Sequence, residues 1–117
     1  MTATRQYLPD RRPSVTRTFG WSGKEFSVSV GFWPDSGLPA EVFVDGPKTG
    51  SDMRALLADA CVVVSLALQH GIEPSALAHS LARVPVSETE SAPASVIGAV
   101  VELLTEGLGG EKTEAVP

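Results

Sequence analysis

The stretch from Thr49 to Gly71, TGSDMRALLADACVVVSLALQHG, decides how this chain folds. Met53, Leu56, Leu57, Ala60, Val63, Val64, Ala67 and Leu68 recur in it at helical spacing. Thr49 and Asp52 stand at capping-box spacing, and Ser51 is a second candidate N-cap. Gly71 offers the left-handed residue on which a helix ends. Val62 and Leu66 fall off the stripe, so the helix is apolar nearly all round from Ala60 to Leu68. Such a helix is expected to be buried on more than one side. It is shorter than the roughly 20 apolar residues that a bilayer span requires.

Before this helix the pattern changes from helical to alternating. Phe26, Val28, Val30 and Phe32 alternate with Glu25, Ser27, Ser29 and Gly31, which predicts a strand with one buried and one polar face. Val15, Phe19 and Trp21 give a weaker alternation ahead of a Ser22-Gly23 turn. Pro34-Asp35-Ser36-Gly37 marks a second turn, and Glu41 to Asp45 a third strand. That third strand has apolar residues on both faces, so it is expected to be central or covered twice. The arrangement predicted is an α+β fold: a three-stranded antiparallel meander near 14–21, 24–33 and 40–45, packed on a long central helix at 51–70.

Beyond Gly71, Pro74 suits the first turn of a second helix near 74–83, with Ala76, Leu77, Leu81 and Ala82 inward. Val86 to Ala92 reads as a polar loop. A third helix is expected from Pro93 to Glu106, burying Val96, Ile97, Val100, Val101, Leu103 and Leu104. Residues 1–13 have no periodicity and read as a flexible arm, 14–106 as a single domain, and 107–117 as a flexible tail.

The chain has 117 residues and a net charge of −5, which suits one domain and argues against a bulk electrostatic grip on nucleic acid. Its single cysteine, Cys61, cannot pair internally and lies within the apolar helix. With no apolar leader at the polar N-terminus, a reducing cytoplasm is the expected location, and no membrane contact is expected.

No residues stand out as catalytic or metal-ligating. Cys61, His70 and His79 lack metal-site spacing. His70 ends a helix, where a cation favours the dipole. Ser65 is expected to bond back to its own helix rather than act as a nucleophile. A buried Cys61 thiol is expected to be inert. The candidate ligand site is the strand-to-helix loop at Lys48, Thr49, Gly50 and Ser51. There glycines, a lysine and hydroxyls meet a helix N-terminus, without the G-x-x-x-x-G-K-[ST] spacing of a phosphate loop. Asp52 opposes an anion there.

Three segments carry a family resemblance: G-x-x-x-E-V-F-V from Gly37 to Val44, K-x-G-S from Lys48 to Ser51, and S-L-A-L-Q-H-G-I-x-P from Ser65 to Pro74. The run from residue 15 to 81 that contains them resembles the TSCPD domain. This domain occurs in the C-terminal part of adenosylcobalamin-dependent (class II) ribonucleotide reductases and in small stand-alone bacterial proteins. The five letters that name it reduce here to Ser91 and Pro93, in Glu90-Ser91-Ala92-Pro93-Ala94, with Ala92 where the motif has cysteine. The resemblance implies an accessory or binding module tied to deoxyribonucleotide or DNA metabolism, without catalytic machinery of its own. It implies no cofactor in this chain, adenosylcobalamin belonging to the family association alone.

A helix-turn-helix regulator is the alternative, with Ser75, His79 and Arg83 facing DNA. The second helix begins Glu73-Pro74-Ser75, which supplies none of the side chains that read bases, so nucleic acid is not the expected partner. A protein–protein interaction module is a further alternative. A homodimer is expected from the apolar excess, with a nucleotide or a reductase-type protein as the other candidate partner.

Overall fold

The computed structural model describes residues 4–47 and 50–106. The tail expected at 107–117 lies outside them, as do Lys48 and Thr49. Strands β1 (Ser14–Trp21), β2 (Lys24–Phe32) and β3 (Pro39–Asp45) form an antiparallel meander in the order β1-β2-β3. Helices α1 (Ser51–Gln69), α2 (Pro74–Ser80) and α3 (Val96–Thr105) complete an α+β fold. Among the described residues, no helix is long and apolar enough to cross a membrane.

The meander follows from local chemistry. Ser22 and Gly23 both take positive φ, 54° and 78°, between the paired residues Trp21 and Lys24. A two-residue turn of that kind matches the twist of the strands it joins. Gly37, with φ 76°, closes the second turn by donating its N–H to the Trp33 carbonyl at 2.8 Å. In β2 the alternation sorts as expected, with Phe26, Val28, Val30 and Phe32 all buried. On the opposite face Gly31 lacks a Cβ where one would collide with the Glu41 side chain. Glu41 therefore lies flat across β2, and its carboxylate accepts from Arg12 Nε at 2.7 Å.

β3 is an edge strand rather than a central one, and its face is not covered twice: Phe43 remains 56% exposed. Its outer rim, however, is covered by α1. Ser65 Oγ accepts from the Val42 N–H at 2.9 Å and lies 3.3 Å from the Val42 carbonyl, to which it donates. Gln69 Nε2 donates to the Ala40 carbonyl at 3.0 Å. Cys61 lies beside the Val44 backbone. Residues 61, 65 and 69 thus face residues 44, 42 and 40. Four helical residues rise about 6 Å, and two strand residues span about 6.6–6.8 Å. The two repeats run in opposite senses and stay in step. Ser65 therefore bonds to the strand instead of to its own helix, as the sequence alone had suggested. Unpaired edge groups, which otherwise invite another strand, are satisfied here by side chains.

The same inner side of α1 carries Cys61, Val64 and Leu68 into the core. There they meet Val28, Val30 and Val42 from the sheet and Val100, Val101 and Leu104 from α3. Met53, Leu56 and Val63, expected inside, are exposed. The expectation of burial on several sides fails because α1 lies at the rim of the sheet and offers only one side to the core.

The helix ends also depart from the sequence reading in part. α1 starts from Gly50 in extended conformation with no side-chain capping bond, and Thr49, where the capping box was read, lies outside the described residues. At the other end, Ile72 N–H bonds the Ala67 carbonyl and Gly71 N–H the Leu68 carbonyl, each at 3.0 Å, with Gly71 at φ 90°. These two bonds define a Schellman ending. The loop expected at residues 86–92 lies largely within a short hairpin of β4 (Arg83–Pro85) and β5 (Ser91–Pro93). α3 begins at Val96 rather than Pro93, because Ser95 caps it by accepting from the Gly98 N–H at 3.1 Å. Within the segment read as an arm, Gln6 N–H bonds the Gln69 carbonyl at 2.9 Å, and Arg5 Nε bonds Gln69 Oε1 at 2.8 Å.

Candidate functional site

The β1–β2 turn, the start of α1 and the first residue of α3 converge on a cleft of about 810 Å³. Its polar rim comes from Lys24, Asp45 and Arg54, and its apolar wall from Trp21, Phe26, Met53 and Leu57. Each is there for a local reason. The tight Ser22-Gly23 turn holds Trp21 and Lys24 opposite each other as the last pair of the ladder. Arg54 and Leu57 are one turn apart on α1 and share a face. Gly46 lets β3 pass under Phe26: a Cβ at residue 46 would stand 2.6 Å from that ring. Phe26 also stacks on Phe19, with ring centroids 5.6 Å apart.

The electrostatics favour an anion at the rim. The first N–H groups of α1 have no intrahelical partner, and the helix dipole adds partial positive charge at the same end. Among the described residues, neither Lys24 nor Arg54 sits within ion-pair distance of a carboxylate. Asp45 on the same rim and Asp52 in the first turn of α1 work against that charge. A volume of this order suits a nucleotide-sized ligand, with an apolar body against Trp21 and Phe26 and a charged end at the helix.

Of the expected site residues, Gly50 lines the cleft and Ser51 opens α1. Lys48 and Thr49 lie outside the described residues. Sequence reading missed Trp21, Lys24 and Arg54. Arg54 had a visible signal, being three positions beyond Ser51 on the same helix. Trp21 and Lys24 had none, because their approach to α1 is made by the sheet and not by the chain.

A second groove of about 490 Å³ runs along the outer face of the sheet beside α1, past Ser27, Ser29 and Phe43. Two of its three charges are already engaged, Arg5 with Gln69 and the Tyr7 ring at 4.3 Å and Glu41 with Arg12, while Asp45 is the third. A ligand there would have to break those contacts.

The nucleophile inventory stays passive. Burial pushes the Cys61 thiol up, against a smaller opposing effect from the neighbouring Val44 backbone. Such a thiol carries little thiolate near neutral pH. His70 Nδ1 lies 2.9 Å from the Leu66 carbonyl. Of the three residues expected to face DNA, Ser75 and His79 are exposed on α2, a helix of seven residues. Arg83 lies beyond it on β4, bonded to Ser91 and 3.3 Å from Glu102. They do not form one reading face.

Comparison with known proteins places this geometry in context. The family model described as "TSCPD domain" matches residues 3–108. The vitamin B12-dependent ribonucleotide reductase of Rhodopirellula baltica is 29% identical over 108 residues, covering 90% of this chain and 10% of that protein. The enzyme of the same name from Streptantibioticus cattleyicolor is 35% identical over 68 residues, 58% of this chain and 11% of that protein. That from Bradyrhizobium diazoefficiens is 32% identical over 68 residues, 58% of this chain and 5% of its own length. The chain therefore spans about a tenth or less of these relatives. No solved structure matches it.

Proposed function

The chain belongs to the TSCPD domain family, and on that premise we propose that it is a binding module of deoxyribonucleotide metabolism. It holds a nucleotide by its phosphates at the start of α1 and performs no chemistry of its own. The observation that carries the reading is the cleft itself. Two cations from separate elements, Lys24 and Arg54, share it with a helix N-terminus and with Trp21. The base and sugar lie against Trp21 and Phe26, and the phosphates meet the first-turn N–H groups and the two cations. Lys48, two positions before Gly50 in the sequence, is the further cation that this proposal assigns to the site.

The relatives are named for vitamin B12. The residues here do not fit that group. The cleft is of nucleotide size, and neither His70 nor His79 lines it. No step is therefore assigned to a corrin on this chain, and a protein of the reductase type remains the natural partner for a module of this family.

Titration calorimetry of the full chain with dNTPs, NTPs and a short DNA duplex tests the proposal. Saturable binding of a nucleotide is expected, weakened about tenfold by Lys48→Ala or Arg54→Ala, at roughly 1.4 kcal/mol per tenfold, and weakened again by added salt. Absence of heat with every nucleotide, or binding indifferent to both substitutions, removes the site. Tighter binding of the duplex than of any nucleotide would favour the DNA-binding alternative.

A further inference from the structure

The outer half of α1 is the most apolar exposed surface of a single element in the described molecule. Met53, Leu56 and Val63 are 54%, 64% and 66% exposed. With the half-buried Ala60 and Ala67 they follow a 3-4-3-4 spacing along the helix. That spacing is the seam of a helix pair, not the face of an isolated helix. The only polar side chains on this half are Asp52, Asp59 and His70. The inner half is already occupied by the β3 rim and the core, so the seam has no partner among the described residues.

We propose that this seam is the interface with a second copy of the chain, two α1 helices crossing antiparallel at Ala60 about a twofold axis. The stripe is symmetric about that residue to within one position, Leu56 standing four before it and Val63 three after. Antiparallel pairing sets Met53 against the second copy's Ala67, Leu56 against its Val63, and Ala60 against its own equivalent. Each larger side chain meets a smaller one, as a self-complementary twofold interface demands. The flanking charges divide in this register: Asp52 comes within two positions of His70 of the second copy, while the two Asp59 carboxylates approach each other beside the axis, a like-charge contact that weakens the pair. The seam is about 22 Å long and a helix about 10–12 Å across. The pair buries on the order of 1,000 Å² in total, which is the low end for specific interfaces and suits micromolar association. This surface adjoins the cleft through Met53, which belongs to both, but Leu56, Ala60, Val63 and Ala67 lie outside the cleft lining.

β1 offers the competing surface. It is the other edge of the meander, and Thr18 directs its N–H away from β2 by the alternation of the ladder. A second copy pairing there would extend the sheet instead.

Sedimentation equilibrium of the full chain from one to several hundred micromolar distinguishes these cases. A concentration-dependent dimer is expected, weakened at least tenfold by Leu56→Asp and by Val63→Asp. Both positions are exposed, so the helical circular dichroism should be retained. Ala60→Cys should cross-link to itself through a short bis-maleimide, whereas Ala55→Cys should not. A monomer throughout the range overturns the proposal. A dimer indifferent to both aspartates but lost in Thr18→Pro overturns it too, in favour of the sheet edge.

Discussion

β2 and α1 are the two segments whose patterns predict the fold, and they met the structure differently. Every apolar residue of the β2 alternation is buried. In α1 only the side carrying Cys61, Val64 and Leu68 is buried, while Leu56 and Val63 face out. The strand announces its own orientation, because its pattern has two faces of different polarity. The helix cannot, because apolar residues surround it and the pattern contains no vote between faces. What orients it is a trio of residues with weak hydropathy signals. Cys61, Ser65 and Gln69 match the rim of β3 in spacing and in hydrogen-bonding capacity. Polar complementarity at an edge, not hydrophobicity alone, chose the buried side of the longest helix.

The largest effect expected from this asymmetry is in denaturation by urea, at protein concentrations low enough to exclude association. Leu68→Ala should destabilise by about 2–4 kcal/mol. Leu56→Ala, on the same helix and of the same chemistry, should stay within about 0.5 kcal/mol. Equal losses would mean that both sides are buried in one copy, and the contrast would disappear.

A smaller effect tests the rim directly. Ser65→Ala leaves the Val42 N–H and carbonyl without their side-chain partner, a loss of about 1–2 kcal/mol. Amide exchange should locate the damage, with Val42 losing protection while Val28 keeps it. If Val42 protection is unchanged, α1 is not held by this bond.

The smallest effect concerns pH. Burial disfavours the Cys61 thiolate, so the folded thiol titrates above the unfolded one. The resulting stabilisation is present in full below the unfolded pKa and is lost as pH rises through the folded value. Alkylation by iodoacetamide should be slow at neutral pH and accelerate only in the alkaline range, later than in a urea-unfolded control. Rapid neutral alkylation would place Cys61 outside the core.

The candidate site divides along the same line. Gly50 and Ser51 were legible because a glycine-rich connection before a long apolar helix locates that helix's N-terminus wherever it packs. Arg54 follows from the same helix. Trp21 and Lys24 could not be read as site residues. They lie roughly thirty positions earlier, and they reach the cleft only because the Ser22-Gly23 turn projects beyond the end of the sheet toward α1. Phe26 was legible as core, but its role as cleft wall depends on the missing side chain at Gly46, a contact between strands.

By itself, the sequence determined the α+β class, the meander with its turns and the glycine at which α1 ends. These depend on backbone preferences and on periodicities that operate within a few residues. Tertiary structure alone decided that β3 is an edge, that α1 shields it, and that apolar residues on the other side of α1 are left facing outward. Those outcomes depend on which hydrogen-bonding groups meet at a distance in the chain, and a one-dimensional pattern of hydrophobicity does not record them.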